Sequence, residues 1–386
     1  MSTEATAYMG AHIFDGSTMH SGHALIVRRS RVEAVVPASE IPVEAKQILL
    51  AGGTLIPGFV DLQVNGGGGV MFNNAPTVET LQIMARAHAG LGATSILPTL
   101  ITDTPAQVRA AVAAVSAAIS GKVAGIIGLH LEGPHLSPAR KGAHDPSLIR
   151  AMDADDEAFL LEAATRLPLL KMTIAPESVT PKQIKRLADA GILLSLGHSD
   201  AGYDDCLKAV QHGVRCVTHL FNAMSQLGNR EPGLVGAALS CADLSAGLIA
   251  DLVHVHPASI ATALRAKKGP GQIFLVSDAM ATAGSNIDHF FLNGRRIERG
   301  DHRLTLPDNT LAGADLDLAT AILHMMQVTT LDLGQAVAMA TSIPAKLIGR
   351  GKDLGHLTPQ SRADFIHFLG GKIAGVWQSG NCISDQ

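Results

Sequence analysis

The chain has 386 residues, of which 47% are hydrophobic and 17% charged. This length suits a barrel with a smaller second unit, and this composition excludes a disordered chain. Lysine and arginine number 30 against 34 aspartates and glutamates, which gives a formal net charge of −4. The near balance gives no electrostatic reason to expect nucleic acid or an anionic membrane as a partner.

The cysteine pattern and the lack of a targeting pattern predict that the protein is located in the cytoplasm. The N-terminal MSTEATAYMG lacks a basic segment followed by an apolar one, so no signal peptide is predicted. No apolar run reaches the roughly 18 residues that a membrane span needs. The cysteines lie far apart without a Cys-x-x-Cys pair, which predicts neither a disulfide framework nor a structural zinc module. They are Cys206, Cys216, Cys241 and Cys382.

Residues 1–55 read as short strands and turns, and the pattern changes at Pro57. From there, short apolar runs alternate with Ala- and Leu-rich segments of helical period, which is typical of βα units around a parallel sheet. The eight apolar runs are 58–65, 94–100, 123–132, 169–177, 192–199, 215–222, 246–254 and 273–280. Helices are expected between them at 78–91, 105–119, 157–166, 181–190, 203–212 and 257–267, with a shorter connection near 233–241. The pattern predicts an α/β fold of the (β/α)8 TIM-barrel type.

The remaining segments predict an insertion and a return to β structure. Residues 285–310 read as an inserted hairpin with an Asn-Gly turn, and helices are expected at 315–328 and 334–347. The strand-like tail is expected to pair with the N-terminal strands. We therefore predict a small β-sandwich domain from residues 1–56 and 355–386, and a barrel domain from residues 57–354.

Polar residues lie where the predicted barrel strands end, which is where the active sites of such barrels form. Glu132, His198 and His219 make a set of one carboxylate and two imidazoles. These side chains are costly to bury unless they are paired or bind a metal. The set suits one divalent ion, with zinc favoured and iron, manganese or cobalt as alternatives. Three protein ligands leave a position for the water that a hydrolytic site needs.

Asp278, at the end of the eighth run, suits the general base that takes a proton from this water and passes it to a departing amine. A single polar residue at a strand end is more often a hydrogen-bonded structural residue. Four such residues in register across one barrel favour the functional interpretation.

The first strand carries Gln63-Val64-Asn65 where barrel hydrolases often carry His-x-His for a second metal ion. Amides are poorer zinc ligands than imidazoles, so we expect a single tightly held metal, with Gln63 and Asn65 either as the remnant of a second metal site or as residues that line the site. On the seventh strand, His254 is interpreted as facing the substrate, and His256 as a surface or capping residue.

Two further polar residues sit near the same strand ends. His130 is interpreted as a residue of the barrel interior, and Glu177 stays open between a catalytic and a structural role.

An anion pocket is predicted after the sixth strand. Backbone N–H groups of the turn at Asn222 and Ala223, together with Arg230, suit a phosphate. The alternative, that Arg230 pairs with Glu231 or another surface acid, stays open.

Strings in order along most of the chain closely resemble the N-acetylglucosamine-6-phosphate deacetylases of the amidohydrolase superfamily. The most specific are THLFNAM with REPGLVG, and LEGPHL with KGAH. The full set is PGFVDLQVNGGGG (57–69), LHLEGPHLSPARKGAH (129–144), APE (175–177), LSLGHSDA (194–201), THLFNAMSQLGNREPGLVGAAL (218–239), GLIADLVHVHP (247–257), SDAMATAG (277–284) and LAGADLDL (311–318).

The resemblance implies a (β/α)8 barrel with a small β-sandwich, usually as a homodimer. It implies hydrolysis of the acetamide of N-acetylglucosamine 6-phosphate to glucosamine 6-phosphate and acetate, in amino-sugar catabolism and cell-wall recycling. By position, Glu132, His198 and His219 match the metal ligands, and Asp278 matches the catalytic acid/base.

The resemblance also implies substrate contacts. Asn222, Ala223 and Arg230 match residues that bind the sugar phosphate, and in relatives the arginine can reach in from the neighbouring subunit. His144 matches a residue that holds a sugar hydroxyl, and His254 one that polarises the substrate carbonyl.

The chain matches the one-metal branch of the family at Gln63 and Asn65. It departs from the family at Asp200, where small or amide residues are commoner after Gly-His-Ser. It departs again at Asp315, which replaces a usual serine.

The sequence leaves two alternatives to this function. The first is a deacetylase for N-acetylgalactosamine 6-phosphate or a related N-acyl sugar phosphate, which differs in the orientation of one hydroxyl. The second is a non-enzymatic amidohydrolase-like scaffold. Such scaffolds usually lose a metal ligand or the aspartate of strand eight, and all four residues are present in this chain.

Overall fold

The computed structural model describes residues 5–383. Residues 1–4 and 384–386, which belong to the predicted small domain, lie outside the described residues. The chain divides into two compact units. The terminal unit holds the described residues up to Asp61, His88–Ser95, and those from Leu318 onward, and the barrel unit holds Leu62–Ala87 and Ile96–Asp317.

The strands are, in chain order, β1 (Ala5–Met9), β2 (His12–Phe14), β3 (Met19–His20), β4 (His23–Arg28), β5 (Arg31–Pro37), β6 (Lys46–Leu49), β7 (Thr54–Pro57), β8 (Val60–Val64), β9 (Gly66–Gly67), β10 (Val70–Met71), β11 (Ser95–Ile101), β12 (Leu129–Glu132), β13 (Leu170–Ile174), β14 (Leu193–Leu196), β15 (Cys216–Val217), β16 (Ser245–Leu248), β17 (Ile273–Leu275), β18 (His289–Leu292), β19 (Arg295–Gly300), β20 (Arg303–Thr305), β21 (Phe365–Leu369), β22 (Lys372–Gln378) and β23 (Asn381–Cys382).

The α-helices are α1 (Val78–Gly90), α2 (Pro105–Ser120), α3 (Ala154–Arg166), α4 (Pro181–Asp189), α5 (Tyr203–Gln211), α6 (Gly233–Ser240), α7 (Pro257–Ala266), α8 (Leu318–Val328), α9 (Leu333–Ala340) and α10 (Ser342–Leu347).

The largest sheet has eight strands in the order β17-β16-β15-β14-β13-β12-β11-β8, so strands that follow one another in the barrel sequence are neighbours in the sheet. Nearly all residues of these strands are buried, which explains why they read as continuous apolar runs. A parallel bridge between Val64 and Ala279 joins the two ends of the sheet. The α/β fold of the (β/α)8 type is therefore confirmed, with all eight predicted strands present.

The helices between the barrel strands follow the predicted segments, including α6 in the short sixth connection. Local sequence explains their starts. Thr180, for example, accepts a hydrogen bond from the backbone N–H of Gln183, and the side-chain oxygen of Gln183 accepts one from the backbone N–H of Thr180 in a capping box. Pro181 occupies the first turn.

The predicted helix 334–347 is two helices, α9 and α10, which are separated at Thr341. Thr341 has a φ of −133° and a ψ of −87°, outside the helical region. Pro344 explains the break, because its ring would clash with the carbonyl of residue 340 in a continuous helix.

The predicted insertion is confirmed as a hairpin and carries one further strand. Its sheet has the order β18-β19-β20, and Asn293 and Gly294 form the first turn with φ angles of 50° and 73°. Positive φ at both positions is the requirement of a tight hairpin turn, which Asn-Gly meets at little strain.

The chain termini form two further sheets, with strand orders β5-β4-β1-β6 and β23-β22-β21-β7-β2-β3. The C-terminal strands join the N-terminal ones directly, because β21 pairs antiparallel with β7. Tyr8 and Leu25 from one sheet share a hydrophobic core with Ile13, Leu55 and Phe365 from the other, as in a sandwich.

The predicted boundaries of the small domain, at residues 56/57 and 354/355, stay a prediction. In the division by contacts, α8, α9 and α10 group with the terminal sheets. Within residues 5–383, no helix combines the length and the apolar character that crossing a bilayer requires.

The aromatic cluster at the centre of the sandwich offers a test of how the chain termini are held together. Phe365 stacks on Trp377 with ring centroids 4.7 Å apart, and Tyr8 meets both rings edge-on. Burial raises the pKa of Tyr8 to about 12.

We expect Phe365→Ala to lower the free energy of unfolding by about 3–5 kcal/mol, because it removes a fully buried ring and leaves a cavity. Trp377, the only tryptophan, reports the loss as red-shifted fluorescence in a denaturant titration. Leu369→Ala, on the exposed end of the same strand, is the matched control and should change stability by less than about 0.5 kcal/mol. Equal stability of the two variants would contradict this packing.

Candidate active site

Three of the predicted residues converge on one point at the mouth of the barrel. Glu132 ends β12, while His198 and His219 follow β14 and β15. Glu132 Oε1 lies 3.2 Å from His198 Nε2 and 2.9 Å from His219 Nε2, and the two Nε2 atoms are 3.1 Å apart. Among the described residues, these three form a group of His, Cys, Asp or Glu whose ligand atoms could share one metal ion.

This geometry fits the donor set of a divalent ion. Ligand atoms about 2.0–2.2 Å from a tetrahedral ion lie roughly 3.3–3.6 Å apart, slightly more than the separations seen here. All three side chains are buried, so lone pairs that point at one another need a cation or a proton between them. Two imidazoles and a carboxylate suit a borderline divalent ion and leave a fourth position for water.

The backbone carries strain where the site residues leave the sheet. His198, His219 and Asp278 have positive φ angles of 48°, 28° and 50°. Such angles are uncommon for residues other than glycine and persist only where surrounding structure enforces them. They also explain why the observed strands end earlier than the predicted apolar runs, since the chain turns out of the sheet at these residues.

Hydrogen bonds fix the orientation of the first imidazole. Nδ1 of His198 donates to the carbonyl oxygen of Arg140 at 2.8 Å, which leaves Nε2 directed at Glu132 and His219. A backbone carbonyl on the second ring nitrogen is the usual way of orienting a metal-binding histidine. In the described part of the chain, Nδ1 of His219 is buried without a hydrogen-bond partner.

Glu132 and His219 each favour the charged form of the other. Burial alone would raise the pKa of Glu132, but hydrogen bonds from His198 and His219 hold it well below its ordinary value. Burial opposes the charged form of His219, yet its hydrogen bond with Glu132 raises its pKa above the ordinary value. The site therefore keeps a negative charge at Glu132 that favours a bound cation.

Asp278 lies beside this cluster and is held by the two amides of the first barrel strand. Asn65 Nδ2 donates to Asp278 Oδ1 at 2.7 Å, and Gln63 Nε2 donates to the same oxygen at 3.0 Å. Gln63 also approaches both carboxylate oxygens of Glu132, at 3.3 and 3.4 Å. Burial, followed by the nearby charge of Glu132, raises the pKa of Asp278.

A cavity of about 260 Å³ opens above the cluster. It brings together most of the residues that the sequence singled out. Those that line it are Asn65, Glu132, His144, His198, His219, Asn222, Ala223, His254 and Asp278. Gln63 lies beside them through its bonds to Glu132 and Asp278. Sequence reasoning did not identify the apolar and loop residues of the wall, which are Ile101, Gly142, Ala143, Ile249, Met280, Thr310, Leu311 and Gly313.

His144 is buried in the cavity wall next to the first imidazole. Its ring meets that of His198 edge-on at 4.3 Å, and its Nδ1 lies 2.7 Å from Thr102 Oγ1. Burial, and then the proximity of His198, lower the pKa of His144 well below its ordinary value. A neutral ring at this position can either donate or accept a hydrogen bond within the cavity.

His254 is joined to a residue that the sequence analysis missed. Its Nδ1 lies 2.5 Å from Asp251 Oδ2, and the two side chains are 8% and 5% exposed. The spacing Asp-x-x-His at 251–254 was the available signal, but a lone aspartate before a histidine has no specificity in a sequence.

Arg230 is exposed, and among residues 5–383 it is not one of those that line the cavity. Glu231, the alternative partner considered from the sequence, accepts hydrogen bonds from the backbone N–H groups of Tyr203 and Gly233. Both roles considered for Arg230, the phosphate contact and the pairing with a surface acid, therefore stay predictions.

Two histidines outside the cavity have the positions expected of structural residues. His130 lies within the barrel, with Nδ1 3.1 Å from Thr99 Oγ1 and Nε2 2.7 Å from Thr173 Oγ1. His256 is the N-cap of α7, where its ring accepts a hydrogen bond from the backbone N–H of Ala258.

The acidic residues that stood out in the sequence also have structural partners. Glu177 is exposed and accepts hydrogen bonds from Ser199 Oγ and from the backbone N–H of Asp200, both at 2.7 Å. Asp200 in turn pairs with Arg140 at 2.7 Å. Asp315 accepts a hydrogen bond from Arg299 Nε at 2.8 Å.

Comparison with known proteins agrees with this architecture. The Amidohydrolase family matches residues 54–384. The N-acetylgalactosamine-6-phosphate deacetylase of Shewanella sp. (strain ANA-3) is 44% identical over 338 residues, which cover 86% of this chain and 84% of that protein. The N-acetylglucosamine-6-phosphate deacetylase of Haemophilus influenzae is 34% identical over 364 residues, which cover 92% and 94%.

A solved structure extends the likeness to nearly every residue. The crystal structure of N-acetylglucosamine-6-phosphate deacetylase from Pasteurella multocida superposes with a TM-score of 0.94 at 33% identity, covering 98% of this chain and 99% of that one. The chain therefore belongs to the amidohydrolase family, among the N-acetylglucosamine- and N-acetylgalactosamine-6-phosphate deacetylases.

Proposed function

We propose that this protein hydrolyses the acetamide of N-acetylglucosamine 6-phosphate to glucosamine 6-phosphate and acetate, as a step of amino-sugar catabolism and cell-wall recycling. The observation that carries the proposal is the convergence of Glu132, His198 and His219 with Asp278 in one cavity. Membership of the family indicates the reaction class, and the named activities of relatives that align with most of the chain indicate the substrate.

Glu132, His198 and His219 would hold one divalent ion per subunit, which would lower the pKa of a water molecule and polarise the amide carbonyl. Zinc is our proposed ion, and iron, manganese or cobalt are alternatives for the same donors. Gln63 and Asn65 direct their amide N–H groups at carboxylates, which is a reason to expect one ion rather than two.

Asp278 acts as the acid/base in this proposal. Its Oδ1 is engaged by two amide donors, so Oδ2 is the atom that takes a proton from the attacking water. An amine leaves only after protonation, and the same carboxyl group returns the proton to the departing nitrogen. A pKa that is raised by burial makes this carboxyl group a better proton acceptor than an exposed aspartate.

The cavity residues bind and orient the sugar. His254 donates to the carbonyl oxygen of the acetamide, and His144 holds a sugar hydroxyl. The backbone around Asn222 and Ala223 faces the phosphate, and Ala223 has a φ of 48° that turns the chain at this point. All four residues line the cavity.

We further propose a homodimer in which Arg230 binds the phosphate in the neighbouring subunit's cavity. Its support is the exposed position of Arg230, away from the cavity of its own chain. The cytoplasm is the proposed location, and the four cysteines, all within the described range, form no disulfide, as expected in a reducing compartment.

N-acetylgalactosamine 6-phosphate is the second candidate substrate, because the relative that is 44% identical is a deacetylase of that sugar. Parallel measurements of acetate release from both phosphosugars test the proposal. A higher kcat/KM for N-acetylglucosamine 6-phosphate supports the proposal. A higher kcat/KM for N-acetylgalactosamine 6-phosphate would make the second candidate the substrate instead. Failure to release acetate from either sugar, in protein that contains its metal, overturns both.

The metal requirement is tested by chelation. We expect a chelator to abolish acetate release and zinc add-back to restore it, since three buried donors that lack their ion cannot activate water. Glu132→Gln should lose most of the bound metal, as measured by elemental analysis, because it removes the charged ligand. His256→Ala is the histidine control and should retain one equivalent of metal. Full activity in chelated protein that contains no metal would contradict the proposal.

Asp278→Asn tests the acid/base role. We expect kcat to fall by about 10²- to 10⁴-fold, because the amide cannot shuttle a proton, while metal content and melting temperature stay close to wild type. Steady-state kinetics and elemental analysis on the same preparation measure both. Near-normal kcat in this variant would mean that another group carries the proton.

Arg230→Ala tests the phosphate contact across the dimer. We expect KM for the phosphorylated sugar to rise about 10- to 100-fold at nearly constant kcat, since a charge-assisted hydrogen bond is lost. The exposed Arg166→Ala serves as control. A matching loss with unphosphorylated N-acetylglucosamine would show that Arg230 does not contact the phosphate.

A further inference from the structure

The turn that follows β16 holds a buried pair of side chains, Asp251 and His254. Asp251 Oδ2 lies 2.5 Å from His254 Nδ1, a short distance even for a charge-assisted hydrogen bond. Only His254 lines the cavity, and Asp251 lies behind it. The carboxylate can therefore influence a bound molecule only through the imidazole.

The two oxygens of Asp251 have separate partners. Oδ1 accepts hydrogen bonds from the backbone N–H groups of Val253 at 2.9 Å and His254 at 2.8 Å, as a turn-capping aspartate does. Such a cap needs one oxygen only. The second oxygen is directed at the ring of His254, so capping the turn does not account for the whole arrangement.

The backbone between the two residues is strained. Leu252 has a φ of 65°, in the left-handed region that bulky residues rarely adopt. The strain persists because the hydrogen bonds of Asp251 fix the turn on both sides of Leu252. Strained backbone next to a cavity is a recurrent feature of functional sites.

We propose that Asp251 is a positioning residue for the deacetylation, which holds His254 with Nδ1 protonated and directs an Nε2–H group at the carbonyl oxygen of the acetamide. This inference rests on the proposed function.

The chemistry requires a counter-charge for the imidazole. With Nδ1–H donating to Asp251, the ring can donate from Nε2 only when both nitrogens carry protons. The adjacent carboxylate stabilises that cation, and although burial opposes its ionised form, the hydrogen bond from His254 lowers the pKa of Asp251. A cationic donor strengthens most as negative charge develops on the carbonyl oxygen during attack.

Asp251→Asn separates this role from capping. The asparagine oxygen can still accept the two backbone hydrogen bonds, but its NH2 group then faces Nδ1 and forces that nitrogen to accept. His254 would become neutral, and its donor to the substrate weaker. We expect kcat to fall roughly 10- to 100-fold with KM within about threefold of wild type.

A double-mutant cycle with His254→Gln distinguishes positioning from a purely structural effect. In the His254→Gln background, Asp251→Asn should change kcat by less than about twofold, because the residue through which it acts is gone. An equal loss in both backgrounds overturns the proposal. Asp103→Asn is the matched control, since Asp103 is also buried, accepts a backbone hydrogen bond and lies outside the cavity lining; it should keep wild-type kinetic constants.

A second measurement does not depend on turnover. In zinc-loaded protein with ¹⁵N-labelled histidines, the His254 signals are those that disappear in His254→Gln. We expect both ring nitrogens to be protonated in the wild type and Nδ1 to be unprotonated in Asp251→Asn. A wild-type ring with either nitrogen unprotonated overturns the proposal. If wild-type enzyme deacetylates neither phosphosugar, the proposed function fails, and the nitrogen signals still decide the state of the pair.

Discussion

The hydrogen bonds that close the barrel are made by residues of the candidate site itself. The backbone N–H of Asp278 donates to the carbonyl of Gln63 at 3.1 Å, and that of Asn65 donates to the carbonyl of Ala279 at 2.8 Å. The first and last strands are thereby placed in the register in which both amide side chains reach the Asp278 carboxylate. Side chains alternate along a strand, so a slip of one residue would direct them away from it. The pairing of the first and last barrel strands therefore also sets the contacts of Gln63 and Asn65 with Asp278.

Other features of the site disfavour the folded state, and burial in the barrel offsets this free-energy cost. Glu132 is buried next to two imidazoles, and His198 and His219 have backbone angles that few residues adopt. Each such backbone conformation disfavours the folded state by about 1–3 kcal/mol. The eight strands of the barrel are almost entirely buried, and their many apolar side chains supply the opposing stabilisation. Rigid strands also hold the three donor atoms together before any ion binds.

The fold was predictable because the strands of a parallel barrel occur in the sequence as short apolar runs. Its helices occur as segments whose hydrophobic residues repeat with a period of 3.6 residues. The convergence of Glu132, His198 and His219 was predictable as well, since buried carboxylates and imidazoles at strand ends have few explanations. Other features depend on information that a local pattern lacks. The break at Thr341 depends on Pro344 within an otherwise helical segment. Asp251 is recognisable only once the turn brings its carboxylate to His254. The exposed position of Arg230 depends on a loop whose path no periodicity defines.

The inserted sheet and the wall of the cavity share one hydrophobic core. Phe290 and Ile297 from the insertion pack in the same cluster as Ile101 and Met280, and Ala143 packs against that cluster. Ile101, Met280 and Ala143 are also part of the cavity wall. A change of side-chain volume in the insertion therefore acts on residues that line the cavity. Substitutions in the inserted sheet can in consequence change the shape of the cavity wall while Glu132, His198 and His219 stay unchanged.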